Sequence, residues 1–422
     1  MLALFARFLR FGLLAWGGPV AQIAIIRREL VDQERWISSR RFNRLLAAYQ
    51  VLPGPEATEL AVHLGTLRGG RLGGLLAGLG FVLPGFVLVT LAAVLYRSID
   101  LGQPAIAAAL LGVQAAVIAL VVRAVDGIGR HILVDRWVGV IAIAAGVATL
   151  AGVAFWIVLG LGALAYIAAG RLESERGDRP GSTDDAQRAA VRGPRAADQG
   201  RRAAIAVLAV LGAVTVVLVA LGFGDGLAPD GSAGPGVIAP TDPTLPALFL
   251  TGLKGGLLTF GGAYTAIPFV REDAVGGGWI TDPQFLDALA LSGILPAPFI
   301  MFGAFVGYLA GGLAGAVVMT LAIFLPAFSF SLVLGDRLEA IVDHPSVRRA
   351  LEGVAAGVVG IIAIVAIDLA VALAGRVPSL PAAALIVVAG LVLLYRSSSR
   401  LAIPLAIGGG AALGWLLLGG MA

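Results

Sequence analysis

The stretch Leu52-Pro53-Gly54-Pro55-Glu56 interrupts an apolar run that extends over residues 45–66. A proline inside a helix removes a backbone hydrogen bond and clashes with the preceding turn, so two prolines around a glycine predict a helix break here. The sequence Trp16-Gly17-Gly18-Pro19 predicts a second break inside the apolar run 4–26. These breaks restrict the fold, because non-helical backbone at membrane depth survives only where protein or water covers it.

The composition is that of a membrane protein. Of the 422 residues, 59% are hydrophobic and 13% are charged, and the mean hydropathy is +0.94, whereas soluble domains are about 45–50% apolar and about 25% charged. Apolar runs bounded by charges predict about 13 membrane segments. We therefore predict an all-α integral membrane protein and exclude a soluble enzyme with a single anchor. With no cysteine and only 3 histidines, we expect neither a metal nor a cofactor.

Two hydrophilic stretches divide the chain. Residues 171–202 mix arginines with acids and predict a disordered cytoplasmic linker, whereas residues 224–245 carry no lysine or arginine and predict an extracytoplasmic loop. A connecting transmembrane helix is expected between them, at 203–223. The remaining ranges are an N-terminal repeat, 1–170, and a C-terminal repeat, 246–422.

The two long ranges match each other at an offset of about 243 residues. The matched pairs are Arg10 with Lys254, Gly17-Gly18 with Gly261-Gly262, Pro53 with Pro296, and Pro55 with Pro298. Glycine and proline fix backbone shape, so the halves are predicted to share a fold. An odd number of crossings before the second half would turn it upside down, and we therefore predict two inverted-topology repeats.

Arginine placement predicts a cytoplasmic N-terminus and an extracytoplasmic C-terminus, because cytoplasmic loops are enriched in arginine. The arginine-rich loop 27–44 would lie outside if the runs 4–26 and 45–66 each crossed the membrane once. It lies inside if both runs are re-entrant hairpins that bend at their breaks. We favour re-entrant hairpins and keep two straight crossings as the alternative.

The helix breaks predict an anion site. A half-helix that starts at a break directs unpaired N–H groups and its positive dipole end at the break, and broken helices of paired repeats meet near the membrane midplane. The alternative is that these residues only permit close helix packing. The substrate-binding candidates are Arg10 and Lys254 for charge, and Gly17, Gly18, Gln22, Pro53, Gly54, Pro55, Gly261, Gly262, Tyr264, Pro296 and Pro298 at the breaks.

Glu56 and Glu59 are the candidates for proton coupling. They follow the Pro-Gly-Pro break on one helical face, together with His63. Ionisable groups inside apolar segments are costly and usually functional, and a desolvated carboxyl is suited to carry a proton. Capping of the half-helix by Glu56 and a packing role for His63 are the alternatives. Asp368 is a further candidate for ion coupling or for pairing with an arginine.

These motifs resemble those of the chromate ion transporter family. The stretch from Trp16 to Gln22 resembles its Phe-Gly-Gly-Pro-x-x-Gln/His motif, the stretch from Leu52 to Ala57 its most specific motif, and Thr259–Tyr264 its second-half motif. The resemblance implies a secondary transporter in the bacterial cytoplasmic membrane that exports chromate and confers chromate resistance, with energy from the membrane potential or the proton gradient. Two features depart from the family pattern: Trp16 replaces a phenylalanine, and Thr58-Glu59 replaces two amides.

Other functions stay open at this point. A transporter of sulfate or another oxyanion on the same scaffold is the first alternative, and a passive anion channel and a membrane-embedded enzyme are the others, although we do not expect an enzyme. The expected partners are chromate, with sulfate as a second substrate, and membrane lipids; a homodimer is left open. We expect no nucleic acid, because the net charge of +4 comes from loop arginines typical of membrane topology.

Overall fold

The computed structural model describes residues 1–14, 18–99, 103–133, 136–175, 243–260, 262–335, 344–397, 399 and 401–419. The predicted connecting helix 203–223 lies outside the described residues, as do most of the linker 171–202 and of the loop 224–245. Gly17 and Gly261 also lie outside them.

The described residues form helices and contain no β-strand. In the first half the helices are α1 (Leu2–Leu13), α2 (Gly18–Ile26) with a π-helical continuation (Arg27–Gln33), α3 (Ser39–Val51), α4 (Glu56–Ser98), α5 (Pro104–Ile132), α6 (Arg136–Leu150) and α7 (Phe155–Glu175). In the second half they are α8 (Leu245–Leu257), a 3₁₀ turn (Ala263–Ala266), α9 (Ile267–Ala274), α10 (Asp282–Ile294), a 3₁₀ turn (Phe299–Met301), α11 (Phe302–Ser329) with a π-helical end (Phe330–Leu334), α12 (Pro345–Ala374), α13 (Leu380–Arg396) and α14 (Ala402–Leu418). The prediction of an all-helical fold is confirmed for this part of the chain.

Several of these helices suit a bilayer. Within the described ranges, four helical stretches are long and apolar enough to cross a membrane: Glu56–Ser98, Pro104–Arg130, Phe299–Val333 and Pro345–Ala374. Shorter apolar helices accompany them: Arg136–Leu150, Phe155–Ala169, Leu245–Leu257, Leu380–Arg396 and Ala402–Leu418. The count of about 13 membrane segments stays a prediction.

The predicted breaks divide apolar runs into short helices. Helix α1 has 12 residues, α3 has 13 and α10 has 13, so each is about 18–20 Å long at 1.5 Å per residue. The hydrocarbon core of a bilayer is about 30 Å thick. None of these helices is long enough to cross it.

Helices α4 and α11 fold back on themselves at matched glycine pairs. Gly69 (φ −140°, ψ 24°) and Gly70 (φ 62°, ψ −163°) interrupt α4, and Gly311 (φ −139°, ψ 22°) and Gly312 (φ 62°, ψ −155°) interrupt α11. A Cβ at Gly65 would lie 2.7 Å from the carbonyl oxygen of Gly73, so the two arms of α4 pack against each other. Each helix therefore has a short arm before the glycine pair and a long arm after it.

The contacts divide the chain into two compact units. The first comprises residues 1–128, 237–335 and 365–422, and it holds all the predicted break regions. Within it, α1 packs on α4 and α8 packs on α11. These contacts need glycine, because a Cβ at Gly12 would collide with the carbonyl oxygen of Phe81, and one at Gly256 with that of Ile323.

The second unit comprises the described residues of 129–236 and 336–364. Its helices α6 and α7 and the first part of α12 pack through small residues. A Cβ at Gly162 would lie 2.9 Å from the carbonyl oxygen of Gly353, and Val138, Ile141 and Ala356 form a buried apolar cluster. Close packing through glycine is typical of helices within membranes.

Candidate functional site

Residues from all four predicted breaks line one small cavity in the first unit. Gln22 follows the first break, Pro55 ends the second, Ala263 follows the third and Pro298 ends the fourth. The complete lining is Gln22, Pro55, Glu56, Ala57, Thr58, Ala263, Pro298, Phe299 and Ile300. Breaks that are distant in the sequence therefore meet in the fold.

Hydrogen bonds join the breaks of the first half to those of the second. The Gln22 amide Nε2 donates to the carbonyl oxygen of Ala297 over 3.3 Å, and the backbone N–H of Gly54 donates to the carbonyl oxygen of Thr259 over 2.8 Å. The first bond links the first and fourth breaks, and the second bond links the second and third. This crossed pattern is what two repeats related by a twofold axis would produce.

The short arm of α4 starts at the cavity. Its first residue is Glu56, and its N-cap residue is Pro55, which provides no side-chain hydrogen bond. In the second half, the helical turn that begins at Phe299 follows Pro298, which also provides none. Helix N-termini without a side-chain cap attract anions, because their N–H groups and dipole ends carry partial positive charge.

The third break has its own local structure. Gly262 has φ 134°, and the backbone N–H of Phe260 donates to Thr265 Oγ1 over 2.9 Å. The Tyr264 ring stacks on Phe299, with 4.3 Å between ring centroids. The candidate Tyr264 thus packs against the aromatic residue that stands at the Glu56 position in the second half.

Glu56 and Glu59 are both buried beside the second break. Glu56 lines the cavity, and Glu59 is 0% exposed. Neither carboxylate oxygen of Glu59 has a hydrogen-bond partner among the described residues. A Cβ at Gly54, which has φ 147°, would lie 2.6 Å from Glu59 Oε1, so the bend and the carboxyl group are in direct contact.

His63 belongs to a polar cluster behind these acids. The Tyr49 hydroxyl lies 3.0 Å from His63 Nδ1. Ser331 Oγ donates to the Tyr49 hydroxyl over 3.3 Å and is 3.1 Å from the carbonyl oxygen of Glu59. Because Tyr49 is in α3 and His63 is in α4, the cluster also ties together the two sides of the second break.

Arg10 and Lys254 do not line the cavity; each is in an ion pair. Arg10 pairs with Glu29. Its repeat partner Lys254 has its Nζ 2.7 Å from Asp273 Oδ1 and 3.3 Å from Glu272 Oε2. Lys254 is 4% exposed, whereas the Arg10 side chain is 56% exposed. Both pairs join the helix before a break to the segment after it, so an ion pair spans each of these two breaks.

Asp287 is a buried acid that was not among the residues predicted from the sequence. It lies in α10 near the start of an apolar run, and it is 2% exposed. An acid inside an apolar run was the available signal. Asp368, the acid that the sequence analysis did select, is exposed in α12.

The known proteins that this chain resembles are transport proteins. Residues 2–167 and 246–415 match the family described as "Chromate transporter". A chromate transport protein of Pseudomonas aeruginosa is 53% identical over 98% of this chain and 92% of its own length. One from Cupriavidus metallidurans is 28% identical over 96% of this chain and 90% of its own length. An uncharacterized transporter of Methanocaldococcus jannaschii is 23% identical over 99% of this chain and 94% of its own length. No solved structure matches the chain significantly.

Proposed function

This chain belongs to the chromate transporter family, and we propose that it exports chromate across the cytoplasmic membrane with energy from the proton gradient, and thereby confers chromate resistance. Membership supports chromate as the transported substrate in a multi-pass membrane protein. The main evidence for the substrate site is that residues from four helix breaks line one cavity. Chromate is a tetrahedral dianion, and helix N-termini bind such oxyanions through backbone N–H groups.

The two halves are inverted repeats in this proposal. The glycine pairs at 69–70 and 311–312 have nearly identical backbone angles, which supports a shared local fold. The long arm of α4, helices α5 to α7 and the segment 203–223 make five crossings before the second half, counted from the sequence and the helices. An odd number inverts the second half, as in many secondary transporters.

Re-entrant hairpins keep the arginine-rich loop 27–44 on the cytoplasmic side. Ion pairs of Arg7 with Glu34 and of Arg10 with Glu29 support this arrangement, because they join the middle and the last turn of α1 to the segment after α2. The first apolar run then enters and leaves on one face. The contact between Tyr49 and His63 supports the same path for the second run.

The proposed substrate site combines backbone and side-chain groups. The start of α4 and the residues after the other breaks supply N–H groups, and Gln22 supplies an amide. Arg10 and Lys254 supply positive charge once their hairpins open, since acids neutralise them in the present conformation. Glu56 and Glu59 exchange the coupling proton, and their burial next to the cavity supports that role.

The test is chromate uptake into everted membrane vesicles, where export appears as accumulation. We expect saturable uptake that a protonophore abolishes, and that excess sulfate reduces if the site accepts other tetrahedral dianions. In Glu59→Gln, the protonophore should no longer change chromate uptake. The matched control is the exposed Asp368→Asn, in which the protonophore should still abolish uptake. Uptake equal to that of vesicles without the protein would refute chromate transport. Uptake that the protonophore does not change would refute proton coupling but not chromate transport.

A further inference from the structure

Asp287 is a buried acid that the proposed site does not use. Both of its carboxylate oxygens accept a hydrogen bond: Tyr96 donates its hydroxyl to Oδ2 over 2.8 Å, and Gln114 donates its amide Nε2 to Oδ1 over 2.9 Å. Hydrogen bonds to an ionised carboxylate are roughly twice as strong as those between neutral groups. The ionised form of Asp287 is therefore firmly held.

The three residues come from different parts of the first unit. Asp287 is in α10, the first helix of the second hairpin in the second half. Tyr96 is near the end of the long arm of α4, and Gln114 is in α5, so both donors belong to the first half. When Asp287 is ionised, its hydrogen bonds hold a hairpin helix of one half against two helices of the other.

Among the described residues, few other charged groups act on this carboxylate. Arg376, which follows α12, is the positive charge that acts on it electrostatically. Helices α11 and α14 also pack against α10, and their sequences contain no acidic or basic residue. Tyr308 in α11 is the further titratable side chain on these elements. Asp282, at the start of α10, is the other acid of this helix and pairs with Arg271, so Asp287 is the acid that α10 directs at α4 and α5.

Tyr96 also lines a second cavity, of about 260 Å³. Arg97 and Ile99 line it from the first half, together with Trp279, Ile280, Gln284 and Leu309 from the second. In the proposed topology this cavity faces the extracytoplasmic side. A cavity of this size holds several water molecules, and these bring protons to the Tyr96–Asp287 hydrogen bond.

We propose that Asp287 is a proton-controlled latch, which holds α10 against α4 and α5 while ionised and releases it when a proton from the cavity binds. The proposal rests on the proposed transport function and names a further residue for it. A hydronium ion in the cavity gives its proton to the Tyr96 hydroxyl oxygen while the Tyr96 O–H proton passes to Asp287 Oδ2. Water is left in the cavity, Tyr96 is again a neutral phenol, and Asp287 is a neutral acid. The neutral acid keeps weaker hydrogen bonds to Tyr96 and Gln114, so α10 can move and open a path from the cavity toward the breaks.

Cysteine labelling tests the latch without chromate. The chain has no native cysteine, so Ser292→Cys, buried in α10 beyond Asp287, gives a single reporter for an impermeant maleimide added to right-side-out vesicles. The labelling rate is divided at each pH by that of the exposed Gln103→Cys, which removes the pH dependence of the thiol. We expect the ratio to rise as the pH falls, by at most about tenfold per pH unit, as for protonation of one carboxyl group.

Variants separate the latch from a structural role. Asp287→Asn should make the ratio high and independent of pH, Asp287→Glu should restore the pH dependence, and the control Asp368→Asn should change nothing. Tyr96→Phe keeps the carboxylate but removes one donor, so the half-maximal ratio should move to higher pH. This variant serves as the test if Asp287→Asn fails to reach the membrane.

Three results would overturn the proposal. The first is a ratio that stays flat with pH in the otherwise unchanged chain, the second is a pH dependence that persists in Asp287→Asn, and the third is a half-maximal ratio that stays at the same pH in Tyr96→Phe. Because labelling requires no transport, these results are distinct from a failure of chromate uptake. If labelling behaves as expected and vesicles take up no chromate, the results support the latch and refute chromate as the substrate.

Discussion

Gly54→Ala should be more destabilising than an ordinary glycine substitution, because two costs act at this position. Gly54 has φ 147°, and a Cβ there would lie 2.6 Å from Glu59 Oε1. Holding a non-glycine residue in such a conformation costs about 1–3 kcal/mol, and forcing an extra methyl group into a packed site costs about 1–3 kcal/mol more. We expect a total loss of about 2–6 kcal/mol.

Gly262→Ala is the matched control for backbone strain. Gly262 has φ 134°, and no atom of the described residues lies within 4 Å of a Cβ built there. This variant should therefore lose only the conformational share, about 1–3 kcal/mol. The difference between the two variants measures the collision with Glu59.

The assay is thermal unfolding of the purified protein in detergent, followed by the fraction that stays monodisperse on size exclusion. Gly54→Ala should lower the apparent Tm more than Gly262→Ala does. Adding Glu59→Ala to Gly54→Ala should recover the excess, because it removes the carboxyl group that the new methyl group meets. Equal Tm losses for the two glycine variants, with no recovery in the double variant, would show that Gly54 and Glu59 do not touch, and the reasoning about the second break would fail.

Three further predictions concern the same unit. Lys254→Ala should abolish chromate uptake in everted vesicles. It should also leave the partly buried Asp273 with its hydrogen bond from Thr251 but without its cation, at a stability cost below the roughly 3–5 kcal/mol of a fully buried pair. Adding Asp273→Ala should restore the amount of protein in the membrane but not uptake, and normal uptake in either variant would remove Lys254 from the mechanism. Gln22→Ala should lower the free energy of unfolding in detergent by about 1–3 kcal/mol, because the buried carbonyl of Ala297 loses its donor. It should also raise the KM for chromate, whereas the control Gln50→Ala, at an exposed position, should change neither quantity. Gly312→Ala should lower the apparent Tm by a strain of about 1–3 kcal/mol, because φ 62° with ψ −155° is a conformation that essentially only glycine adopts; an unchanged Tm would contradict the sharp reversal in α11.

The sequence predicted the breaks because their cause is local. Proline and glycine act on the backbone at their own positions, so Pro53-Gly54-Pro55 marks a break whatever surrounds it. The offset of about 243 residues then identified the partners Pro296 and Pro298. That the four breaks line one cavity was expected from the analogy of paired repeats, and the fold of the first unit brings them together.

The partners of the charged residues could not be predicted in the same way. Arg10 and Glu29 are 19 residues apart, and only the folded chain brings them into contact. Sequence alone suggested an unpaired cation for an anion, whereas the structure gives Arg10 and Lys254 an acid each. The partners of Asp287 could not be predicted for the same reason, since its donors are 191 and 173 residues away.

The two halves are alike in local backbone at their glycine pairs and unlike in charge, and the proposed transport mechanism uses both properties. Matched glycine pairs and matched ion pairs give the halves similar hairpins, so the same motion can open either one. The buried acids differ between the halves. Phe299 and Phe302 are at the positions equivalent to Glu56 and Glu59, and Arg44 is at the position equivalent to Asp287. A fully symmetric scaffold would have two conformations of equal energy and would respond to a proton equally on both sides. Under the proposed proton coupling, protonation of acids that are placed differently in the two halves stabilises one conformation more than the other. That difference is what would couple the proton gradient to export of the anion.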